Sequence, residues 1–217
     1  MRPLLRLFLV PIAAAVSIFT QPIHARETEG TGQSEVKVGG ATVATILERL
    51  GAKMESGVSS KQLENYSRYF SLLDHDRDGR HSKREYIENG NYLTPQARRG
   101  IFNAADNNKD GFVTKAEYTL NRIITDEAKA IVQAMDDDKD GRVQQTEFIE
   151  HAKAALSDPH LTSKVFAALD TDGNGEIFVP EYLRVWGRWA RSGRKSAAQR
   201  LEAAKKDEEP EAEPVIE

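Results

Sequence analysis

Apolar side chains recur at intervals of three and four residues in eight segments between residues 41 and 190. This spacing places them along one side of an α-helix, because a helical turn contains 3.6 residues. The sequence therefore predicts an all-α fold in which each helix buries one apolar stripe. The stripes are Val43, Ile46, Leu47, Leu50; Leu63, Tyr66, Phe70, Leu73; Ala97, Ile101, Phe102, Ala105; Tyr118, Leu120, Ile123, Ile124; Ile131, Val132, Met135; Phe148, Ile149, Ala152; Leu161, Val165, Phe166, Leu169; and Tyr182, Leu183, Val185, Trp186, Trp189.

Residues that typically start helices stand in front of several of these stripes. Serine, threonine and aspartate side chains can accept the unpaired N–H groups of a first helical turn, and proline is tolerated there because it lacks an N–H. The predicted starts are Ser59 or Ser60; Thr94 with Pro95; Thr125 with Asp126 and Glu127; Ser157 with Asp158 and Pro159; and Pro180 at the last helix.

Between the predicted helices lie four polar segments of twelve residues that share one template. The clearest is residues 136–147, with acids at positions 1, 3 and 5, glycine at position 6, an aliphatic residue at position 8 and glutamate at position 12. A tight loop aims side chains 1, 3 and 5 at one centre, and Gly141 permits a turn that a Cβ would resist. Glu147 closes the shell with both carboxylate oxygens. Such an all-oxygen cage suits a hard divalent cation.

The template recurs at residues 74–85, 106–117 and 170–181, and every copy ends on glutamate. Position 7 offers its backbone carbonyl, and position 9 bonds the ion directly or through a water molecule. The predicted metal ligands are Asp74, Asp76, Asp78, Arg80, Ser82 and Glu85; Asp106, Asn108, Asp110, Phe112, Thr114 and Glu117; Asp136, Asp138, Asp140, Arg142, Gln144 and Glu147; and Asp170, Asp172, Asn174, Glu176 and Glu181.

Over roughly residues 59–192, these loops and their flanking helices resemble the EF-hand superfamily in its four-handed, calmodulin-like arrangement. The resemblance implies up to four Ca²⁺ ions. A single helix-loop-helix unit cannot bury its apolar stripe alone, so the hands should pair face to face. We expect a first pair over residues 59–122 and a second pair over residues 123–192, each joined by a short two-stranded bridge at position 8, namely His81 with Val113 and Val143 with Ile177.

The four loops differ in ways that predict unequal binding. The first and third carry four acids at ligand positions, and the second and fourth carry three. His81 replaces the usual aliphatic residue at position 8 of the first loop, which predicts poorer packing beneath it. Phe178 stands at position 9 of the fourth loop, where its side chain can neither bond the ion nor hold a water molecule. We expect calcium binding foremost at the second and third loops, where neither departure occurs.

The spacing of the loops also bears on the shape of the molecule. The loops begin at residues 74, 106, 136 and 170, so the middle spacing, 30 residues, is the shortest. This favours two lobes held close together over a long exposed connecting helix. Residues 26–58 are predicted to form a flexible leader and a short lead-in helix that packs on the first pair. A self-inhibiting helix that covers an apolar groove is the alternative.

The two ends of the chain have the composition of segments outside the fold. Residues 1–25 combine Arg2 and Arg6 with an apolar run and a polar end at Ala25, which is typical of a secretory signal peptide. The chain has no cysteine, so it has neither disulfides nor thiolate zinc sites. These features predict an exported protein, periplasmic or secreted. Residues 193–217 are predicted to be a disordered charged tail.

Several classes of function are disfavoured by the sequence. The net charge of −4 is spread over acidic loops without one basic field, so no nucleic-acid partner is expected. No arrangement of nucleophile and base is recognisable, so we expect no enzyme. Arginines beside Trp186 and Trp189 could form a membrane-binding face, which is the less favoured interpretation.

Three roles remain open for a calcium-binding chain of this kind. A sensor would expose an apolar groove for a protein partner, and a buffer would change little on binding. A regulatory subunit or scaffold of an extracytoplasmic enzyme is the third alternative. Only Met54 and Met135 follow the predicted signal peptide, which argues against the methionine-rich groove of a promiscuous sensor.

Overall fold

The computed structural model describes residues 35–90, 92–192 and 200–201. The predicted signal peptide, the leader as far as residue 34, and residues 193–199 and 202–217 of the tail lie outside the described residues. Within them, the helices are α1 Val43–Arg49, α2 Ser60–Leu73, α3 Pro95–Ala105, α4 Lys115–Met135, α5 Gln145–Leu156, α6 Pro159–Leu169 and α7 Val179–Arg191. The short strands are β1 Lys37–Val38, β2 Ala41–Thr42, β3 Arg80–Ser82, β4 Phe112–Thr114, β5 Arg142–Gln144 and β6 Glu176–Phe178.

Three of the predicted helix starts are found with their capping contacts. The Ser59 hydroxyl accepts the N–H of Gln62 at the start of α2. Thr94 caps α3, which begins at Pro95, and Asp158 caps α6, which begins at Pro159. These local signals work because a free N–H in the first turn needs an acceptor, whatever the rest of the chain does.

The predicted start at residues 125–127 is wrong, because α4 runs through it without a break. Thr125 donates its hydroxyl to the carbonyl of Asn121 in the same helix. Asp126 accepts a hydrogen bond from the Tyr66 hydroxyl at 2.9 Å, and Glu127 accepts backbone N–H groups of the lead-in segment. The three side chains that could cap a new helix are therefore used elsewhere.

Helix α4 joins the two pairs, yet its middle is buried. Its Ile123 belongs to the apolar core of the first pair, whereas Leu120, Ile124 and Ala128 belong to the core of the second. It packs against α2 on one side and α7 on the other. The two lobes are thus held together along a shared helix, and the connection is not an exposed rod.

The two apolar cores differ greatly in size. The first-pair core consists of Tyr66, Phe70, Ile87, Phe102, Ala105, Val113, Tyr118 and Ile123. The second-pair core consists of Val43, Ile46, Leu47, Leu50, Met54, Leu120, Ile124, Ala128, Val132, Met135, Val143, Phe148, Ala152, Leu156, Leu161, Val165, Phe166, Leu169, Ile177, Tyr182, Val185, Trp186, Trp189 and Ala190.

The lead-in helix α1 packs on the second pair, so the prediction that it packs on the first pair is wrong. Its side chains Ile46 and Leu47 are fully buried in the second-pair core, and the helix contacts α7 and α5. A carboxylate oxygen of Glu127 accepts the backbone N–H groups of Lys53 at 2.6 Å and Met54 at 2.9 Å. The amphipathic stripe of α1 specified that it would be buried, but not on which lobe.

Position 8 of the loops forms the two predicted bridges. Strand β3 pairs with β4 in antiparallel register, with His81 opposite Val113, and β5 pairs with β6, with Val143 opposite Ile177. The exit from the first loop is short: a single π-helical turn, Arg84–Glu88, replaces the longer helix that follows each of the other loops.

The described end of the chain also touches the fold. Leu201 packs against the first-pair core, and the buried Arg200 forms an ion pair with Glu55. At these two residues the prediction of a disordered tail is wrong. Among the described helices, none is both long enough and apolar enough to cross a membrane. Trp186 and Trp189 are buried in the core, so they do not form the apolar half of a membrane-binding face.

Candidate metal centres

Each of the four loops begins at the end of a helix. Position 1 is the residue that follows the helix in every case, namely Asp74, Asp106, Asp136 or Asp170. Its Oδ2 atom accepts the N–H of the glycine at position 6, at 3.2, 3.1, 3.0 and 2.9 Å in chain order. All four glycines have φ between 84° and 88°, a left-handed conformation that a side chain would strain.

The glutamate at position 12 returns to the loop from the first turn of the following helix or π-helical turn. Its Oε2 atom accepts the N–H of position 9 in every loop, from Ser82, Thr114, Gln144 and Phe178. In the first three loops its Oε1 atom accepts the N–H of position 2. Both carboxylate oxygens thus face the loop, which is the orientation required for bidentate closure of a calcium shell.

One oxygen at position 1 has no partner in the first three loops. The Oδ1 atoms of Asp74, Asp106 and Asp136 are buried and accept no hydrogen bond from the described residues. A buried carboxylate oxygen without a donor is costly, so such atoms are rare unless a cation satisfies them. The donor set around these atoms is carboxylate, amide and carbonyl oxygen, which fits a calcium ion.

Acidic side chains converge in three of the loops. Ligand oxygens lie within 4.8 Å of one another for Asp74, Asp76 and Glu85, for Asp136, Asp138 and Glu147, and for Asp170, Asp172 and Glu181. The second loop has an amide in place of the middle acid. There the Asn108 carbonyl oxygen accepts the N–H of Asp110 at 3.0 Å, which is the bond that the acids at position 3 make elsewhere.

The fourth loop is closed by its own hydrogen bonds. Asp170 Oδ1 accepts the N–H groups of Gly173 at 2.8 Å and Asn174 at 3.2 Å. Glu181 Oε1 accepts the hydroxyl of Thr171 at 2.8 Å, where the other loops offer a backbone N–H. The contacts to Asp170 occupy the position-1 oxygen that accepts no hydrogen bond from described residues in the other three loops, so an ion in this loop would compete with them.

Hydrogen bonds keep the closing glutamate of the first loop ionised. Burial alone would raise the pKa of Glu85. The N–H and hydroxyl of Ser82 and the N–H groups of His75 and Asp76 outweigh burial and lower the pKa to about 2. The carboxylate is therefore charged at any ordinary pH and ready to bind a cation.

The side chains at position 7 make other contacts, which leaves the backbone carbonyl as the group that could bind an ion. Arg80 donates its Nε–H to Asp78 of the same loop at 2.9 Å. The Arg80 guanidinium lies 3.8 Å from the centre of the Phe112 ring. Across the other bridge, Arg142 lies 4.9 Å from the Phe178 ring and donates to Glu176 at 2.5 Å. Phe178, the unusual residue at position 9, thus supports a cation–π contact between the paired loops.

His81 packs better than the sequence predicted. Its ring stacks on Phe70 with centroids 4.0 Å apart and meets the edge of Tyr118 at 5.5 Å. Its Nε2 atom lies 2.9 Å from the Phe70 carbonyl oxygen, but its buried Nδ1 atom has no partner among the described residues. Desolvation by burial lowers the pKa of His81, against the hydrogen bond to Phe70 and nearby carboxylates. The neutral imidazole thus serves as an aromatic core residue.

Position 4 has a conformational requirement that the sequence analysis missed. Arg77, Lys109 and Lys139 all have φ of 61°, and the equivalent Gly173 has φ of 72°. Left-handed backbone is unfavourable for a residue with a Cβ. The glycine at this position in the fourth loop, Gly173, was the sequence signal that could have indicated a left-handed backbone.

Comparison with known proteins supports this geometry over part of the chain. Residues 99–119 match the family model described as EF hand, and residues 122–154 match the model described as EF-hand domain pair. Residues 99–154 therefore carry EF-hand domains. These domains and the acidic clusters support calcium as the bound ion.

Two further comparisons add little. The crystal structure of a C-terminal domain of another protein is 18% identical, over 67% of this chain and 88% of that chain, with a TM-score of 0.30. A likeness that weak carries no argument. A search among curated proteins found no match.

Proposed function

We propose that this protein binds up to four calcium ions outside the cytosol and acts through calcium binding, without catalysis. The observation that carries the proposal is the set of three buried position-1 oxygens, in Asp74, Asp106 and Asp136, that no donor satisfies. Calcium would supply positive charge to these oxygens and to the bidentate glutamate at position 12. Millimolar calcium, common outside cells, would keep even weak sites filled.

The two pairs would respond to calcium differently. Helix α1 lies in the apolar core of the second pair, as an amphipathic helix lies in a groove. Such a pair cannot offer the same surface to a partner, so its sites would chiefly add stability. In the first pair, Tyr69 and Leu72 at the end of α2 and Tyr92 and Leu93 before α3 are exposed. Calcium-dependent rearrangement, and any protein partner, would therefore involve the first pair.

The fourth site should be the weakest of the four. Both oxygens at its position 1 already have partners within the loop, since Asp170 Oδ1 accepts the N–H groups of Gly173 and Asn174 and Oδ2 accepts that of Gly175. An ion must compete with the two hydrogen bonds to Oδ1, whereas the other three loops hold an unpartnered oxygen ready. We therefore expect three tighter sites and one weaker one.

Calorimetric titration of the purified protein with calcium tests the proposal, with magnesium as the control ion. We expect three or four sites for calcium and markedly weaker binding of magnesium, which demands tight octahedral geometry and keeps its water. A hydrophobic dye, titrated in parallel, reports exposed apolar surface. A calcium-dependent rise would indicate a sensor, and binding without a rise would indicate a buffer. Absence of calcium binding at millimolar concentration would refute the proposal.

A further inference from the structure

A basic groove lies between the two pairs, outside all four metal sites. Its volume is about 470 Å³, and it runs between α3 and the second loop on one wall and α7 on the other. Four cationic side chains line it: Lys109 from the second loop, and Arg184, Arg188 and Arg191 from α7. Among the described residues that line this groove, none is acidic.

Three of the groove's cations donate hydrogen bonds to neutral groups of described residues. Lys109 donates to the Asn103 carbonyl at 2.6 Å, Arg184 to the Thr171 hydroxyl at 2.8 Å and Arg191 to the Asn121 side-chain oxygen at 2.5 Å. Across the described part of the chain, none of the four takes part in an ion pair. Like charges held together without a counter-charge repel, so an anionic ligand would relieve that repulsion.

Arg191 is fixed in place within this groove. A Cβ on Gly187 would come within 2.6 Å of its Nη1 atom, so the absence of a side chain there makes room for the guanidinium. Glycine within a helix is unfavourable by about 1 kcal/mol relative to alanine, and here it accommodates the arginine. Burial, together with the charge of Arg200, lowers the pKa of Arg191 to about 10.

One spacing between the arginines is close to that of alternate side chains in an extended segment. Measured along the axis of α7, Arg184 and Arg188 are about 6 Å apart, and Arg188 and Arg191 are about 4.5 Å apart, at a rise of ~1.5 Å per residue. In an extended chain, side chains on one face recur about every 6.6 Å. Arginine is also well suited to carboxylates, because its planar group can form two parallel hydrogen bonds.

The end of this chain has that pattern. Residues 209–213 read Glu-Pro-Glu-Ala-Glu, so three carboxylates alternate with a proline and an alanine. Arg200 donates to the carbonyl of Ala190, which precedes the groove residue Arg191. The eight residues that follow Leu201, as far as Glu209, can span about 26 Å when extended, so the segment can reach the groove.

We propose that the acidic C-terminal segment, residues 209–213, docks in the basic groove of the same molecule. Covalent attachment gives the segment an effective concentration in the millimolar range, so it competes well against acidic segments of other proteins. The docked segment would offset most of the positive charge of the groove with its three carboxylates. It would also connect the two pairs, since one wall of the groove belongs to each pair. The proposal does not depend on calcium binding, although the second loop forms part of one wall.

Disulfide formation tests the proposal in the full chain, which contains no cysteine of its own. The double variant Ala104→Cys, Ala212→Cys places one thiol in the groove wall and one within the acidic segment. A disulfide requires Cα atoms within about 7 Å, so its rate reports docking. We expect the internal disulfide to form about tenfold faster than in a control pair, Ser163→Cys with Ala212→Cys, whose first member is exposed on α6.

Charge variants of the tail decide whether the acids are responsible. In the Ala104→Cys, Ala212→Cys background, replacing Glu209, Glu211 and Glu213 with glutamine should bring the rate down to that of the control pair. A matched control removes three negative charges that lie outside the alternating pattern, by Asp207→Asn, Glu208→Gln and Glu217→Gln. This control should keep most of the rate of disulfide formation. Equal rates for the two cysteine pairs would overturn the proposal, as would a disulfide-linked dimer as the main product.

A single change in the groove provides an independent check. Arg188 is exposed and forms no ion pair with the described residues, so Arg188→Gln should leave the fold intact. We expect it to slow the Ala104–Ala212 disulfide by about threefold. Lys61→Gln, which removes an exposed charge from the start of α2, is the matched control and should leave the rate unchanged. Equal effects of the two variants would contradict docking at this groove.

Discussion

The two EF-hand-like pairs have the same loop template but different supports. The second pair encloses a large core that includes α1 and two tryptophans, whereas the first encloses a small aromatic core around Phe70 and Phe102. The exit from the first loop is a single π-helical turn, and the other exits are full helices. Similar loops therefore need not contribute equally to stability, because the second pair buries a much larger apolar core than the first.

Calcium and apolar burial stabilise the native state by different routes. Buried apolar area contributes about 25 cal/mol per Å² whether or not calcium is present. An ion that binds only the folded form adds stability that depends on its concentration. The first pair, with less buried area, should therefore depend more on calcium. The predictions below test this difference, from the largest expected effect to the smallest.

Removing the lead-in contact should weaken the second pair most. Leu47→Ala deletes a fully buried side chain of α1, and we expect unfolding to become easier by about 2–5 kcal/mol. Denaturant unfolding measures this loss in free energy, and the loss should be similar in excess calcium and in chelator. Leu72→Ala, a change at a side chain that is 62% exposed, is the control and should cost less than about 0.5 kcal/mol. Comparable losses in the two variants would contradict the role assigned to α1.

Neutralising the position-12 glutamate in one loop of each pair should show how far the order of each pair depends on calcium binding. Glu85→Gln and Glu147→Gln should each weaken calcium binding at its own loop by about tenfold or more, which is ~1.4 kcal/mol. Calorimetry measures the affinity, and amide hydrogen exchange reports order in each pair. We expect lost protection around Phe70 and Val113 in Glu85→Gln, but retained protection around Val143 in Glu147→Gln. Unchanged stoichiometry and affinity in Glu147→Gln would refute the ligand assignment.

Acid should affect the first pair through His81. Burial lowers its pKa in the folded state, so the unfolded chain takes up the proton first as pH falls. The stability from the neutral ring is present above about pH 6.5, the pKa of the unfolded chain, and is lost as the pH falls below it. His81→Val, which installs the residue type found at position 8 of the other loops, should remove most of this loss. Denaturant unfolding in chelator at pH 7.5 and pH 5.5 measures the free energy of unfolding of both proteins. An unchanged pH dependence in the variant would contradict this explanation.

The sequence predicted the features that depend on neighbouring residues. It did not predict the features that depend on contacts between distant segments. The loop spacing and caps such as Ser59 and Thr94 act within a few residues, so the pattern alone predicted them. The residues at 125–127 carried an equally good cap signal, but Asp126 and Glu127 bond partners more than fifty residues away. An apolar stripe likewise shows that α1 is buried without naming the lobe. The basic groove depends on two elements whose proximity no local pattern encodes.

The smallest expected effect concerns backbone strain at position 4. The first pair has side chains in left-handed backbone in both loops, at Arg77 and Lys109, and the second pair has one, Lys139, opposite Gly173. Lys139→Gly should stabilise the second pair by about 0.5–1 kcal/mol, because glycine adopts this conformation without steric cost. Gly173→Lys, the reciprocal change, should destabilise it by a similar amount, since open space around that glycine leaves conformation as the main cost. Thermal unfolding in saturating calcium measures both. If both variants lower the melting temperature, left-handed strain is not what distinguishes the fourth loop, and its internal hydrogen bonds to Asp170 would have to account for the difference.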